Sequence, residues 1–170
     1  MKQLVIFSML ILSFLSCSTI KESVIDTETG VKIAGYDKDC IFRIGKTKRE
    51  DISEDQIEYY KKDSLLFGFS IKPQNAPQQC IMISAGASGK YATTKGIKSG
   101  DSIEKALKVY GKPKARVIDY GKDEKHGIHW VYYGLFYENL SFVTIDESSS
   151  IIIGFAVTKG FGFDKKYIRR

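Results

Sequence analysis

The sequence predicts an α+β fold in which a short helix is followed by a three-stranded antiparallel meander. Helix signals gather between Gly100 and Pro113, and three runs rich in aromatic and β-branched residues follow them. A similar order of patterns occurs in the first half of the chain. We therefore expect two tandem copies of this unit, packed together with their helices on one sheet face.

The helix has a start, an apolar face and a stop. Asp101 is the predicted N-cap, and Glu104 three residues later completes a capping box. Apolar side chains recur at helical spacing at Ile103, Ala106, Leu107 and Tyr110. Gly111 favours the left-handed conformation that ends a helix, and Pro113 prevents the helix from resuming.

The three predicted strands lie at 130–136, 140–145 and 151–157. Polar breaks separate them at 138–139 and 146–150, and both breaks have the length of hairpin loops. Consecutive strands joined by such short loops pair in antiparallel fashion. The pattern therefore predicts a meander directly after the helix.

The helix motif formed by Gly100, Ser102, Ala106, Gly111 and Pro113 resembles that of the BamE/SmpA-like and beta-lactamase-inhibitor-like (BLIP-like) lipoprotein domains. The resemblance covers residues 91–160. It implies a small protein-binding module rather than an enzyme, although one fold of this kind carries several unrelated binding roles. The inhibitor proteins are built from tandem copies whose concave sheet grips a partner, which agrees with the repeat expected here.

The first half of the chain reads as a degenerate copy. Ser53 with Gln56 forms a capping box before a helix predicted to end near residue 62. Strands are predicted at 65–71 and 80–84, with a loop at 73–79 between them. We interpret 36–90 as the first α+β unit, 91–163 as the second, and 164–170 as a basic tail.

Residues 1–16 have the features of a signal peptide. Lys2 supplies the positive charge, and the apolar run at 4–15 is too short to span a bilayer, which needs roughly 20 residues. Cys17 directly after this run predicts a bacterial lipoprotein acylated at that cysteine, with residues 17–35 as lipidated N-terminus and tether. Ordinary secretion and a retained anchor are the alternatives. We expect a lipid-anchored protein of the cell envelope, in the outer membrane, facing the periplasm or the surface.

Two further cysteines, Cys40 and Cys80, form an even pair once Cys17 carries lipid. In an oxidising envelope they are candidates for one disulfide, which would contribute about 3–4 kcal/mol by closing its loop. The alternative is two buried free thiols. We expect the disulfide.

Composition limits the classes of partner. The formal net charge is +6, but basic and acidic residues alternate along most of the chain. A nucleic-acid-binding protein would show a clustered basic patch and a matching module. We therefore expect no nucleic-acid partner and no cofactor, and we expect the membrane, through the N-terminal lipid, and another envelope or extracellular protein as partners.

The sequence contains no recognisable catalytic constellation. His126 and His129 are its two histidines, and they stand in a predicted loop rather than on one helical face. A closed zinc site needs four ligands, and only Asp123 and Glu124 lie near them in the sequence. We expect neither a metal site nor an enzyme, and an envelope enzyme or metal protein built on these histidines is the weaker alternative.

Aromatic residues are the remaining functional signal. The candidate protein-binding surface consists of Trp130, Tyr132, Tyr133 and Tyr137 on the predicted sheet. Strand alternation places Trp130 and Tyr132 on one side and Tyr133 on the other. Exposed Tyr and Trp mark protein interfaces, whereas burial of the second face by the other half would remove this meaning. The predicted function is a non-catalytic protein-binding or scaffold module, with an inhibitor of a hydrolase as the alternative.

Overall fold

The computed structural model describes residues 21–70, 80–122, 127, 129–160 and 168–169. Within these residues there are two α-helices, α1 (Glu54–Lys62) and α2 (Ile103–Tyr110), and a 3-10 turn at Arg49–Asp51. The described strands are β1 (Ser23–Asp26), β2 (Lys32–Gly35), β3 (Phe42–Arg43), β4 (Leu65–Phe69), β5 (Cys80–Ala85), β6 (Tyr91–Thr93), β7 (Ala115–Lys122), β8 (His129–Phe136), β9 (Leu140–Thr144), β10 (Gly154–Thr158) and β11 (Ile168–Arg169).

The strands form two sheets, so the predicted fold class is wrong. A small sheet has the order β3-β2-β1-β6, and a large sheet has the order β11-β7-β8-β9-β10-β5-β4. All pairings of the large sheet are antiparallel. Each sheet takes strands from both sides of residue 90, which was the expected boundary between two units. The chain therefore builds one large antiparallel sheet rather than two tandem copies of a helix with a three-stranded meander.

One reason for the error is strand β7, which the sequence analysis missed. It continues directly after α2, so that four antiparallel strands, β7 to β10, follow this helix. Its register against β8 shifts between Ala115 and Val117 and again between Asp119 and Gly121. Such bulges interrupt the alternation by which a strand is recognised in sequence.

A second reason lies in the segment predicted as a tether. Residues 23–35 contain β1 and β2, and the side chains of Val24 and Ala34 are completely buried. β1 pairs with β2 on one side and with β6 on the other. Residues 23–35 therefore belong to the folded domain and do not form a tether.

Helix α2 is present where the sequence places it, but its N-cap is Ser102 rather than Asp101. The Ser102 hydroxyl accepts a hydrogen bond from the Lys105 backbone N–H at 3.1 Å. Asp101 instead accepts from the Lys98 backbone N–H and from the Lys105 ammonium. The helix ends at Gly111, whose φ is 73°. In α1 the predicted capping box of Ser53 and Gln56 is formed.

The core lies between the inner face of the large sheet and the elements that cover it. One row of hydrogen-bonded neighbours runs across five strands, and every side chain in it is buried: Leu65, Ala85, Phe155, Phe142 and Leu135. Val24, Ile33 and Phe42 of the small sheet and Ala106 of α2 belong to the same cluster. Complete burial of one such side chain stabilises the fold by about 1.5–3 kcal/mol. Neither helix in the described residues has the length and apolarity needed to cross a membrane.

Candidate functional site

The outer face of the large sheet is the side turned away from this core. The next row of neighbours lies on it: Leu66, Ser84, Ala156, Ser141 and Phe136. Because side chains alternate between faces, this row points opposite to the buried row of Leu65 and Phe142. Neither helix and no strand of the small sheet belongs to the apolar clusters on this side; the described cluster here consists of Ala115, Ile118 and Phe136.

Trp130 and Tyr132 lie on this outer face, at the far end of β8. By strand alternation they point to the face opposite Leu135, which lies on the inner face. Trp130 is 47% exposed and Tyr132 is 42% exposed. Ile145, which is 72% exposed, directly follows β9. Because Thr144 at the end of β9 is paired with Tyr133, continuing this register sets Ile145 opposite Tyr132. Two exposed aromatic side chains and one exposed aliphatic side chain are therefore neighbours at one end of the outer face.

The other two predicted surface residues lie elsewhere. Tyr133 points to the inner side, as alternation predicts, and is half-buried. Tyr137 is only 4% exposed, it contacts the rings of Tyr110 and Phe142, and its hydroxyl donates to the Gly111 carbonyl at 2.8 Å. Burial raises the pKa of Tyr137 to about 12. Tyr137 is a core residue, so it is removed from the candidate surface.

A groove lies on the outer face at β4, β5, β9 and β10. Its volume is about 430 Å³, and the side chains of Leu66, Val143 and Ile153 form its apolar walls. The floor consists of small residues, Ser84, Gly154 and Ala156. Lys61 and Ser64 lie at its rim. Such a groove can accept an apolar side chain of a partner, with one positive charge available at the edge. We call it the outer groove.

Two glycines keep this face free of side chains where strands approach closely. A Cβ on Gly134 would lie 1.9 Å from the Phe142 carbonyl oxygen, and one on Gly154 would lie 2.8 Å from the Ala85 carbonyl oxygen. Gly134 also has φ of 147°, which side chains rarely allow. In the register these two glycines flank Val143 on both sides. Val143 therefore projects from the outer face between two positions that have no side chain.

The sequence analysis did not identify the outer groove. Leu66, Val143 and Ile153 come from strands or loops that are distant in sequence, and only the pairing order brings them together. The usable signal was local: Gly154 and Ala156 alternate with buried Phe155 and Val157, so one side of β10 carries only small side chains.

The cysteines do not form the expected bond. Cys40 is a buried free thiol whose Sγ lies 3.3 Å from the Ser23 hydroxyl oxygen. It stands in the loop between β2 and β3 of the small sheet, whereas the backbone of Cys80 begins β5 of the large sheet. Burial raises the pKa of the Cys40 thiol. The Cys80 side chain and all of Cys17, the predicted lipidation site, lie outside the described residues.

His129 has a structural partner. Its Nε2 lies 2.7 Å from an Asp119 carboxylate oxygen, which also accepts the Gly121 backbone N–H at 2.9 Å. The pair therefore bridges β8 to the irregular part of β7. His126, its predicted neighbour in a metal site, lies outside the described residues. Among the residues that are described, no three His, Cys, Asp or Glu side chains gather to hold a metal ion.

Comparisons of the chain with family models, with curated proteins and with solved structures found no match. The function of the protein is therefore inferred from the outer face and from the sequence features at the N-terminus.

Proposed function

We propose that this protein is a non-catalytic, lipid-anchored envelope protein that binds another protein through the outer face of its large sheet. The observation that carries the proposal is the exposed Trp130 at the end of β8, on the same face as the outer groove. Trp is the residue type most enriched among interface hot spots, and hot spots pair with apolar pockets.

The extent of the outer face supports a protein as the partner. Exposed apolar side chains extend from Trp130 and Ile145 on β8 and β9 to Ile153 and Leu66 near the opposite edge. Four strands, β8, β9, β10 and β5, separate β7 from β4, and neighbouring strands are about 4.8 Å apart. From β8 to β4 these side chains therefore span four strand spacings, or about 19 Å, which suits a protein interface better than a small ligand.

The N-terminal sequence supports an anchored location. The apolar run followed by Cys17 predicts acylation, and an anchored domain whose sheet exposes Trp130 can recruit a partner to the membrane. The resemblance of residues 91–160 to BamE/SmpA-like and BLIP-like domains stays a prediction and points in the same direction. We propose the outer membrane of a bacterial envelope as the location.

A pull-down from envelope extracts tests the proposal, with Trp130→Ala as the disabling variant. Tyr59→Ala is the control, because Tyr59 is an aromatic residue on α1 that is 60% exposed, more than Trp130 at 47%. We expect a partner recovered with the wild type and with Tyr59→Ala, and reduced about tenfold or more with Trp130→Ala. Equal recovery with all three would contradict the proposed surface. If the partner is a hydrolase whose activity falls on binding, the inhibitor alternative is the correct form of the function.

A further inference from the structure

The point at which the chain enters the fold lies at one end of the domain. Glu22 is buried, its carboxylate accepts the Thr94 backbone N–H at 2.9 Å, and its carbonyl accepts the Tyr36 backbone N–H. Ser23 begins β1 directly after it. Glu22 is therefore held in place by the fold, and Lys21 directly before it is the first residue that the structure describes.

Several other elements end at this same position. β2 ends at Gly35, opposite Ser23, and β6 ends at Thr93, opposite Val24. The last residue of α2, Tyr110, donates a hydrogen bond from its hydroxyl to the Thr93 hydroxyl at 2.8 Å. β10 ends at Thr158, whose carbonyl accepts a hydrogen bond from the Tyr36 hydroxyl. The side chains that follow these ends therefore lie near Lys21.

These side chains are basic. Lys95 follows β6, and its Nζ lies 4.6 Å from the centre of the Tyr110 ring. Lys112 follows the end of α2, Lys159 follows β10, and the Lys159 side chain reaches Gly45, which precedes Lys46. We define the basic end as the exposed lysines Lys21, Lys46, Lys95, Lys112 and Lys159. None of the five forms an ion pair within the described residues.

Most acidic groups nearby are buried or paired, and Asp39, in the loop between β2 and β3, is the exposed one without an ion pair in the described residues. Glu22 is buried, and Glu138 is paired with Lys114 at 2.9 Å. Asp37 is paired with Lys32 at 2.6 Å, and this bond lowers the pKa of Asp37. Glu50 and Glu54, which come next along the chain after Lys46, pair with Lys48 and Arg49.

Acidic side chains instead occupy the opposite end of the domain. Glu28 lies in the turn between β1 and β2, and Asp101 and Glu104 lie at the start of α2. Asp146 and Glu147 follow the end of β9. All of these positions are at the far termini of the elements that end near Lys21. Asp101 is paired with Lys105 at 2.8 Å, so the acidic end is defined by Glu28, Glu104, Asp146 and Glu147, and Lys21 lies at the opposite, basic end.

We infer that the basic end lies against an anionic phospholipid surface. This inference rests on the proposed acylation of Cys17. Four residue steps join Cys17 to Lys21, and covalent geometry limits them to about 14 Å. A lipid at Cys17 therefore brings Lys21 and its neighbours to the headgroup layer. Anionic headgroups attract lysines only within about a Debye length, roughly 8–10 Å at physiological salt. The short connection places the basic end within that range and leaves the acidic end facing away from the membrane.

The test uses the full acylated lipoprotein in vesicles of phosphatidylcholine, with or without phosphatidylglycerol. The rate at which each lysine is acetylated by an amine reagent is measured by mass spectrometry. We expect the five lysines of the basic end to react at least about threefold more slowly in the anionic vesicles. Lys62, an exposed lysine at the end of α1 where no ion pair is described, is the internal control and keeps its rate.

Salt and a charge-reversal variant sharpen the result. At about 1 M salt the Debye length falls to about 3 Å, and the protection should disappear. In a Lys21→Glu/Lys95→Glu/Lys112→Glu variant, Lys46 and Lys159 should lose protection while the protein still floats with the vesicles. Flotation with unchanged lysine rates in anionic vesicles would overturn the inference and leave the anchor intact. Failure to float with either type of vesicle would overturn the proposed anchor and the inference with it.

Discussion

The side-chain amide of Asn139 donates a 2.7 Å hydrogen bond to the Tyr36 hydroxyl, which joins the turn between β8 and β9 to the segment after β2. The same amide donates to the Thr158 carbonyl at 3.1 Å, and the Tyr36 hydroxyl donates to that carbonyl as well. The side-chain oxygen Oδ1 of Asn139 is buried and has no hydrogen-bond partner among the described residues. Three segments distant in sequence thus meet in one polar contact between the two sheets.

A double-mutant cycle with Tyr36→Phe and Asn139→Ala measures this contact. Each single variant should lose about 1–2 kcal/mol of unfolding free energy, because each removes buried hydrogen bonds. The loss in the double variant should be smaller than the sum by about 0.5–1.5 kcal/mol, since the two residues share a bond. Urea denaturation supplies the free energies, and strict additivity would contradict the coupling.

Gly134 should tolerate no side chain. Gly134→Ala adds a Cβ that would lie 1.9 Å from the Phe142 carbonyl oxygen, at φ of 147°. Gly160 is the matched control, because it has the same φ of 147° and nothing within 4 Å of an added Cβ. Gly160→Ala should cost about 1–3 kcal/mol for the backbone conformation alone, and Gly134→Ala clearly more. Equal costs in thermal or urea unfolding would mean that the close approach of β8 and β9 is not as described.

The Cys40 thiol should be inert in the folded protein. Burial raises its pKa, so the reactive thiolate is scarce and the reagent has no access. In a soluble Cys17→Ser variant, a thiol reagent should leave Cys40 unmodified under native conditions. After denaturation without a reductant, both Cys40 and Cys80 should react. If no thiol reacts after denaturation, the disulfide predicted from sequence is present in solution.

Asp26 should make the fold sensitive to acid. Burial would raise the pKa of this carboxyl, but hydrogen bonds from the Thr29 and Glu28 backbone N–H groups and the Lys90 charge lower it overall. The carboxylate therefore stabilises the fold above the ordinary pKa of 3.8, and this stability is lost as the pH falls through the lower folded value.

The variant Asp26→Asn tests this sign. It should be less stable than the wild type by about 1–3 kcal/mol at neutral pH, and the difference should shrink as the pH falls below about 4. Asp39→Asn, at an exposed loop position, is the control and should change stability by less than about 0.5 kcal/mol. A difference that stays constant from pH 7 to pH 2 would contradict the lowered pKa.

Local sequence signals predict individual secondary-structure elements. The fold was predicted wrongly because it depends on pairing between strands that are distant in sequence. The helix between Gly100 and Gly111 and the capping box at Ser53 depend on neighbours within a few residues, so the sequence predicts both. The position of β5 between β10 and β4 depends on contacts across some 70 residues, and no local pattern specifies it. The small sheet was missed because its strands are four residues or fewer, too short to display alternation.

The candidate surface was likewise predicted only in part from the sequence. Alternation along β8 separates Trp130 and Tyr132, which are exposed, from Tyr133, which is half-buried. It failed for Tyr137, which lies past the end of β8, where strand alternation no longer applies. The outer groove requires β4, β5, β9 and β10 to be neighbours, so it could be found only once the strand order was known.

Photocrosslinking in the native membrane tests the central claim, that the outer face holds the partner, most directly. A photoreactive phenylalanine analogue is placed at Trp130 or at Leu66 on the outer face, and at Tyr59 on α1 as the control. The account predicts one crosslinked protein shared by positions 130 and 66, and none at position 59. The same product at position 59, or products at 59 alone, would contradict the assignment of the outer face as the binding surface.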